Sequence, residues 1–193
     1  GHSLHGMLST CRHGSLSGTN VVRDFVELPS QLMENWLDER EWLQSFAVHY
    51  QTGEALPEIL IERMERARHF LVGYAACRQL SFGYLDMAWH TITEPLAEGL
   101  DTKTLEDTAW QKAQLLPATP APCQMSTSFG HIFSGGYAAG YYGYKWAEVL
   151  DADAFAAFQE EGIFSTATAE RFRREVLSQG DRRDAEELYQ SFR

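Results

Sequence analysis

His2 and His5 stand three residues apart at the start of the chain, and Glu27 follows on what reads as the next helix. An imidazole on one helix and a carboxylate on its neighbour can close two sides of a zinc site, which takes nitrogen and oxygen ligands in a tetrahedral array. Spacing alone leaves a plainer reading open, in which the histidines are surface or core residues and Glu27 pairs with Arg23, one turn back. The neighbours of Glu27 are Phe25, Val26, Leu28 and Pro29, an apolar setting where an unpaired carboxylate is costly. Gln31, one turn on, is placed to orient that carboxylate by a hydrogen bond.

A second group lies in FSGGYAAGYYGYKW, residues 133–146, with His131 just ahead of it. Tyr137, Tyr141 and Tyr144 share one face if this stretch is helical. Tyrosine hydroxyls are neutral donors at pH 7, so they can hold developing negative charge without titrating. His131 can donate to an oxyanion in the same way. Gly135 and Gly136 suit backbone that must approach a ligand closely, or a hinge. The plain alternative is core and wall packing, which the different direction of Tyr142 favours for that residue.

Helices must position these groups. His2 to Ser9 reads as one helix, and VVRDFVELPSQLMENWL as a second, with Phe25, Leu28, Leu32 and Trp36 at helical spacing and a bend expected at Pro29. A short helix follows over residues 38–50. Pro57 opens the longest periodic stretch, expected to run to Glu94-Pro95. Another helix spans DTKTLEDTAWQKAQLL, with Thr104 as its expected cap. PATPAPCQMSTSFGHIFSGG is the one long irregular stretch, with at most a short strand near 126–132. The tyrosine stretch, STATAERFRREVL and AEELYQSFR complete an all-α chain, expected to form a single helical domain over 1–193.

Composition narrows the functional classes. Sixteen Lys+Arg against 27 Asp+Glu give a net charge of -11, which repels nucleic-acid phosphates and anionic membrane surfaces. The hydrophobic fraction of 44% is that of a globular chain. Cys11, Cys77 and Cys123 are odd in number and contain no C-x-x-C pair, so a reduced, cytoplasmic setting is expected. No apolar run is long enough to cross a bilayer, and the first residues contain no signal-peptide core.

Taken in order, GHSLHGMLS at the start, RDFVELPSQLMENW at 23–36 and FGHIFSGGYAAGYYGYKWAEVL at 129–150 resemble the zinc-dependent oligopeptidase family. That family comprises thimet oligopeptidase, oligopeptidase A and peptidyl-dipeptidase, and the last segment is most similar to the bacterial oligopeptidase A branch. The family's metal motif is HEFGHxxH, followed by a DFVExPSQ helix and a FxHIFxGGYxAxYYxY loop. In H-E-x-x-H the histidines bind zinc and the glutamate activates the attacking water.

The resemblance implies that His2 is the second zinc histidine and Glu27 the third ligand. It implies that His131, Tyr137 and Tyr144 bind substrate and stabilise the oxyanion, while Gly135, Gly136 and Tyr141 line the peptide cleft. The chain starts at Gly1-His2, inside the metal motif, so the expectation is a C-terminal part of a larger zincin-like metallopeptidase acting on short peptides, truncated at both ends. Lacking the first histidine and the base glutamate, the chain itself is expected to hold zinc weakly and to be nearly inactive, and to self-associate through the truncated face. The rival reading is a non-catalytic helical protein-interaction module.

Overall fold

The computed structural model describes residues 1–95, 99, 101–117 and 124–193. Cys123 and the proline-rich part of the expected long loop lie outside them. The described residues form two compact units, one built from Gly1–Arg68 and Tyr144–Arg193, the other from His69–Gly143. Both are helical. Among the described residues the only strand-like pairing is an isolated antiparallel bridge between Val48 and Ala55.

In the first unit, α1 (His2–Leu8) is followed by the short helices α2 (Arg23–Val26) and α3 (Leu28–Glu34). Next come α4 (Arg40–Phe46) and α5 (Glu58–Ala67). The chain returns to this unit in α9 (Gly143–Glu161), α10 (Thr166–Phe172), a single π-helical turn (Arg173–Leu177) and α11 (Ala185–Phe192). Ser165 caps α10 by accepting the amide of Thr168, and Asp184 caps α11 through the amide of Glu186.

Apolar residues spaced three and four apart on these helices meet in one core. Phe25, Leu28 and Leu32 pack with Phe155 and Phe158 of α9, Phe172 of α10 and Phe192 of α11. Ala154 and Ala157 keep α9 slim enough for close approach. Trp36 stands edge-on to Phe155 and Phe158 at ring-centroid distances of 4.9 and 4.8 Å. Phe158 packs against the rings of Trp36, Phe155, Phe172 and Phe192, so Phe158→Ala is expected to cost about 3–5 kcal/mol of stability. Urea denaturation should show the loss as a lowered midpoint with an unchanged m-value.

The second unit holds α6 (Val72–His90), α7 (Thr102–Trp110), a 3₁₀ turn (Met125–Thr127) and α8 (Gly130–Phe133). Phe82, Phe129 and Tyr141 form an aromatic cluster at centroid distances of 5.0 to 5.7 Å.

Several boundaries differ from the sequence expectations. The helix expected to bend at Pro29 is interrupted earlier, at Glu27, and Pro29 sits in the first turn of α3, where its missing donor costs nothing. The long helix from Pro57 is broken between α5 and α6, where Leu71 adopts a left-handed conformation with φ 54°. Asp101 rather than Thr104 caps α7, accepting the amides of Lys103 and Thr104. Helical turns, not a strand, occupy 125–133. No described helix is long and apolar enough to cross a membrane.

Candidate metal centre

The break between α2 and α3 places Glu27. Its flanking residues Phe25, Val26 and Leu28 are buried and draw it inward, leaving it 5% exposed. Its backbone carbonyl accepts the Gln31 amide at 3.0 Å and opens α3. The end of α1 bearing His2 lies against this corner because Gly1 has no side chain. A Cβ on Gly1 would stand 2.2 Å from Ser30 Cα and 2.4 Å from the Pro29 carbonyl oxygen, so only glycine permits the approach.

The outcome is that His2 Nε2 lies 3.2 Å from Glu27 Oε2. Two ligand atoms about 2.1 Å from one tetrahedral zinc stand about 3.4 Å apart. The pair therefore matches one edge of a zinc coordination tetrahedron, and the residues present fit the ion. Ser30 Oγ donates to the same Oε2 at 2.6 Å and lies 2.9 Å from the Glu27 carbonyl oxygen, which fixes the carboxylate's rotamer. A cleft of about 810 Å³, with Leu4, Met33, Trp36 and Trp42 in its lining, opens beside His2. The His2 ring is 47% exposed, so an ion can reach it. Among the described residues no cluster of three or more His, Cys, Asp or Glu is grouped for metal binding.

Gln31 does not orient Glu27. Its side-chain nitrogen donates instead to the Tyr144 carbonyl at 3.0 Å, tying α3 to the first turn of α9. Ser30 takes the orienting role. A hydroxyl three residues after the glutamate, on the same helix face, was the sequence signal for it.

His5 faces inward, one turn after His2, and is fully buried. Neither of its ring nitrogens has a hydrogen-bond partner among the described residues. Burial, and secondarily the proximity of His2, lowers its pKa from 6.5 to about 4. The unfolded chain therefore binds a proton below pH 6.5 that the folded chain refuses until about pH 4. Stability falls as pH drops through that window and levels off below it. Denaturation of the metal-free protein should lose about 3 kcal/mol between pH 7 and pH 4 from this residue, and His5→Phe should flatten that part of the profile.

The tyrosines are arranged differently from the sequence expectation. Tyr137 and Tyr141 are not on a helix with Tyr144. They occupy consecutive turns before α9, and only Tyr144, half-buried, is in the helix. The amides of Ala139 and Tyr141 are taken by the carboxylate of Asp86, at 2.9 Å each, and so are withheld from helical pairing. Ala139 has φ 53°, which also breaks a helix.

Within the second unit, His131 is exposed on α8, and its ring lies 6.0 Å from both Tyr137 and Tyr141. Tyr137 and Tyr141 are buried at 9% exposure. Burial raises the phenol pKa of Tyr141, opposed by a hydrogen bond with Gln79, so it stays protonated through neutral pH. Tyr142 is 54% exposed. Gly135 packs on α8 so closely that a Cβ would meet His131 Cα at 2.8 Å, and Gly136 has φ 81°. The turn is closed by the Gly135 amide on the Gly130 carbonyl at 2.7 Å and the Tyr137 amide on the His131 carbonyl at 3.0 Å.

Comparison with known proteins gives a consistent result. The profile of peptidase family M3 matches residues 1–193. The chain is 43% identical to oligopeptidase A of Escherichia coli and 42% identical to dipeptidyl carboxypeptidase of Salmonella typhimurium. It is also 43% identical to a probable cytosolic oligopeptidase A of Arabidopsis thaliana. Each alignment covers 100% of this chain and 28% of the relative, so the chain spans little more than a quarter of the length of these relatives.

Proposed function

Because the chain belongs to peptidase family M3, we propose that it is the part of a zinc oligopeptidase that supplies two metal ligands and the donors facing the scissile carbonyl of a short peptide. The observation that carries this reading is the 3.2 Å approach of His2 Nε2 to a nearly buried Glu27 carboxylate. Zinc, when bound, supplies a Lewis acid and an acidified water.

The residues of this chain do the rest. His2 and Glu27 hold the ion, and Ser30 keeps the carboxylate in its ligating rotamer. His131, Tyr137 and Tyr144 donate hydrogen bonds to the oxygen that gains charge as the carbonyl becomes tetrahedral. Gly135 and Gly136 offer backbone, and Tyr141 a wall, along an extended peptide. A cytoplasmic setting accords with the Arabidopsis relative named as cytosolic. Exposed Ile59, Leu60 and Met64 on α5 provide apolar surface for self-association.

The test is hydrolysis of an internally quenched short peptide by the intact protein. Cleavage should vanish with a chelator and return with zinc. The 193-residue chain alone should bind zinc weakly and cleave at less than about 1% of that rate, since among the described residues no third His, Cys, Asp or Glu is grouped with His2 and Glu27. Cleavage indifferent to chelation would overturn the metal assignment. One tightly held zinc together with full cleavage by the chain alone would overturn the division of labour.

A further inference from the structure

Two carboxylates outside the metal centre are almost fully buried in the second unit: Asp86 on α6 and Glu106 on α7, each 1% exposed. A carboxylate is costly to bury unless its lone pairs are taken up, so the partners indicate the purpose. Glu106 accepts the Met125 amide at 3.0 Å on Oε1 and the Ser126 amide at 2.8 Å on Oε2. The Ser126 hydroxyl also donates to Oε2, at 2.9 Å, and itself accepts from Trp89 Nε1 at 3.0 Å. Asp86 accepts the Ala139 amide on Oδ1 and the Tyr141 amide on Oδ2, each at 2.9 Å. His90 Nδ1 stands 2.8 Å from Oδ1.

Both carboxylates are thus spent mainly on backbone amides of one stretch, and they take hold of it at its two ends. Between the anchors lie His131, Gly135, Gly136 and Tyr137. Beyond the short helical turns at 125–127 and 130–133, the stretch has no regular structure to hold its own shape. It also contains Ala139 in the left-handed region at φ 53°, a conformation that persists in a residue with a Cβ only where surrounding contacts over-determine it. The Asp86 hydrogen bond to the Ala139 amide is such a contact.

We propose that Asp86 and Glu106 are positioning residues for peptide hydrolysis, fixing residues 125–141 at both ends so that His131 and Tyr137 meet the peptide in one preformed shape. This rests on the functional reading above. Preorganised donors need no rearrangement as charge develops, so loosening the stretch acts on turnover more than on binding.

The experiment uses the intact protein carrying Asp86→Asn, which keeps the side chain's size but turns an amide donor towards one of the two backbone amides. A kcat lowered at least about twentyfold is expected, with KM within about threefold and zinc content unchanged. Hydrogen exchange at Ala139 and Tyr141 should quicken at least about tenfold while α6 amides keep their rates. Glu106→Gln should do the same at Met125 and Ser126.

A kcat per bound zinc within twofold of the unsubstituted protein would overturn the proposal. So would a loss of activity that merely follows loss of protection throughout the chain. Should either variant fail to fold, exchange in the unsubstituted protein still decides: amides at 125, 126, 139 and 141 exchanging at unstructured rates would refute the anchoring. If the unsubstituted protein cleaves no peptide, the functional reading falls instead, and the exchange pattern separately decides whether the carboxylates anchor the stretch.

Discussion

Glu27→Gln in the intact protein is expected to strip the bound zinc and to lower kcat/KM on a short peptide by about 10³-fold or more. The substitution keeps the shape of the side chain and exchanges an anionic ligand for a neutral one. Zinc sites depend on that charge, because the ion must surrender hydration to enter. The same substitution keeps an acceptor in place, since the amide oxygen can still accept from Ser30 Oγ, which lies 2.6 Å from the present Oε2. Stability of the metal-free protein should therefore change by no more than about 1 kcal/mol. Metal analysis and denaturation of the same sample separate the two effects. Loss of zinc with unchanged folding marks a ligand, whereas a large loss of stability with zinc retained would mark Glu27 as a structural ion-pair partner of His2.

The second large effect is expected at Tyr144. Removing its hydroxyl as Tyr144→Phe should lower kcat about 10²- to 10³-fold, equivalent to about 3 kcal/mol of transition-state stabilisation, with KM within about threefold. The Tyr144 carbonyl accepts Gln31 Nε2 at 3.0 Å, one turn beyond Glu27, which anchors the start of α9. Phenylalanine keeps that backbone anchor and the ring. Steady-state kinetics on zinc-loaded protein make the measurement. Unchanged turnover would remove the Tyr144 phenol from the chemistry and leave His131 and Tyr137 as the donors.

What could be read from the residues beforehand divides along the reach of the interactions. α10 announces itself through the STATAERF start, and α11 through AEELYQSFR, because caps and periodicity are local. The core stripe of Phe155 and Phe158 is equally local. The turns at 137–142 were not legible as such. Tyr137, Tyr141 and Tyr144 have helical spacing, and what overrides it is Asp86, more than fifty positions earlier in the chain. Glu106 acts in the same way on 125–126, at the edge of the segment 126–132 where at most a short strand was expected and helical turns form. The break after α5 falls at Leu71, where no proline or glycine stands to signal it.

The candidate site was legible in kind but not in detail. Residue types and spacing suggested an imidazole and a carboxylate on neighbouring helices, and the resemblance to the oligopeptidases singled out His2 and Glu27. That Gly1 lets the helices touch, and that Ser30 rather than Gln31 holds the carboxylate, depends on a close approach that no spacing rule encodes.

The central claim, that His2 and Glu27 grip a single ion, is tested most directly by anomalous diffraction at the zinc absorption edge from crystals of the intact protein. One peak is predicted, about 2.1 Å from both His2 Nε2 and a Glu27 carboxylate oxygen. A zinc peak elsewhere, with His2 Nε2 still 3.2 Å from Glu27 Oε2, would contradict it.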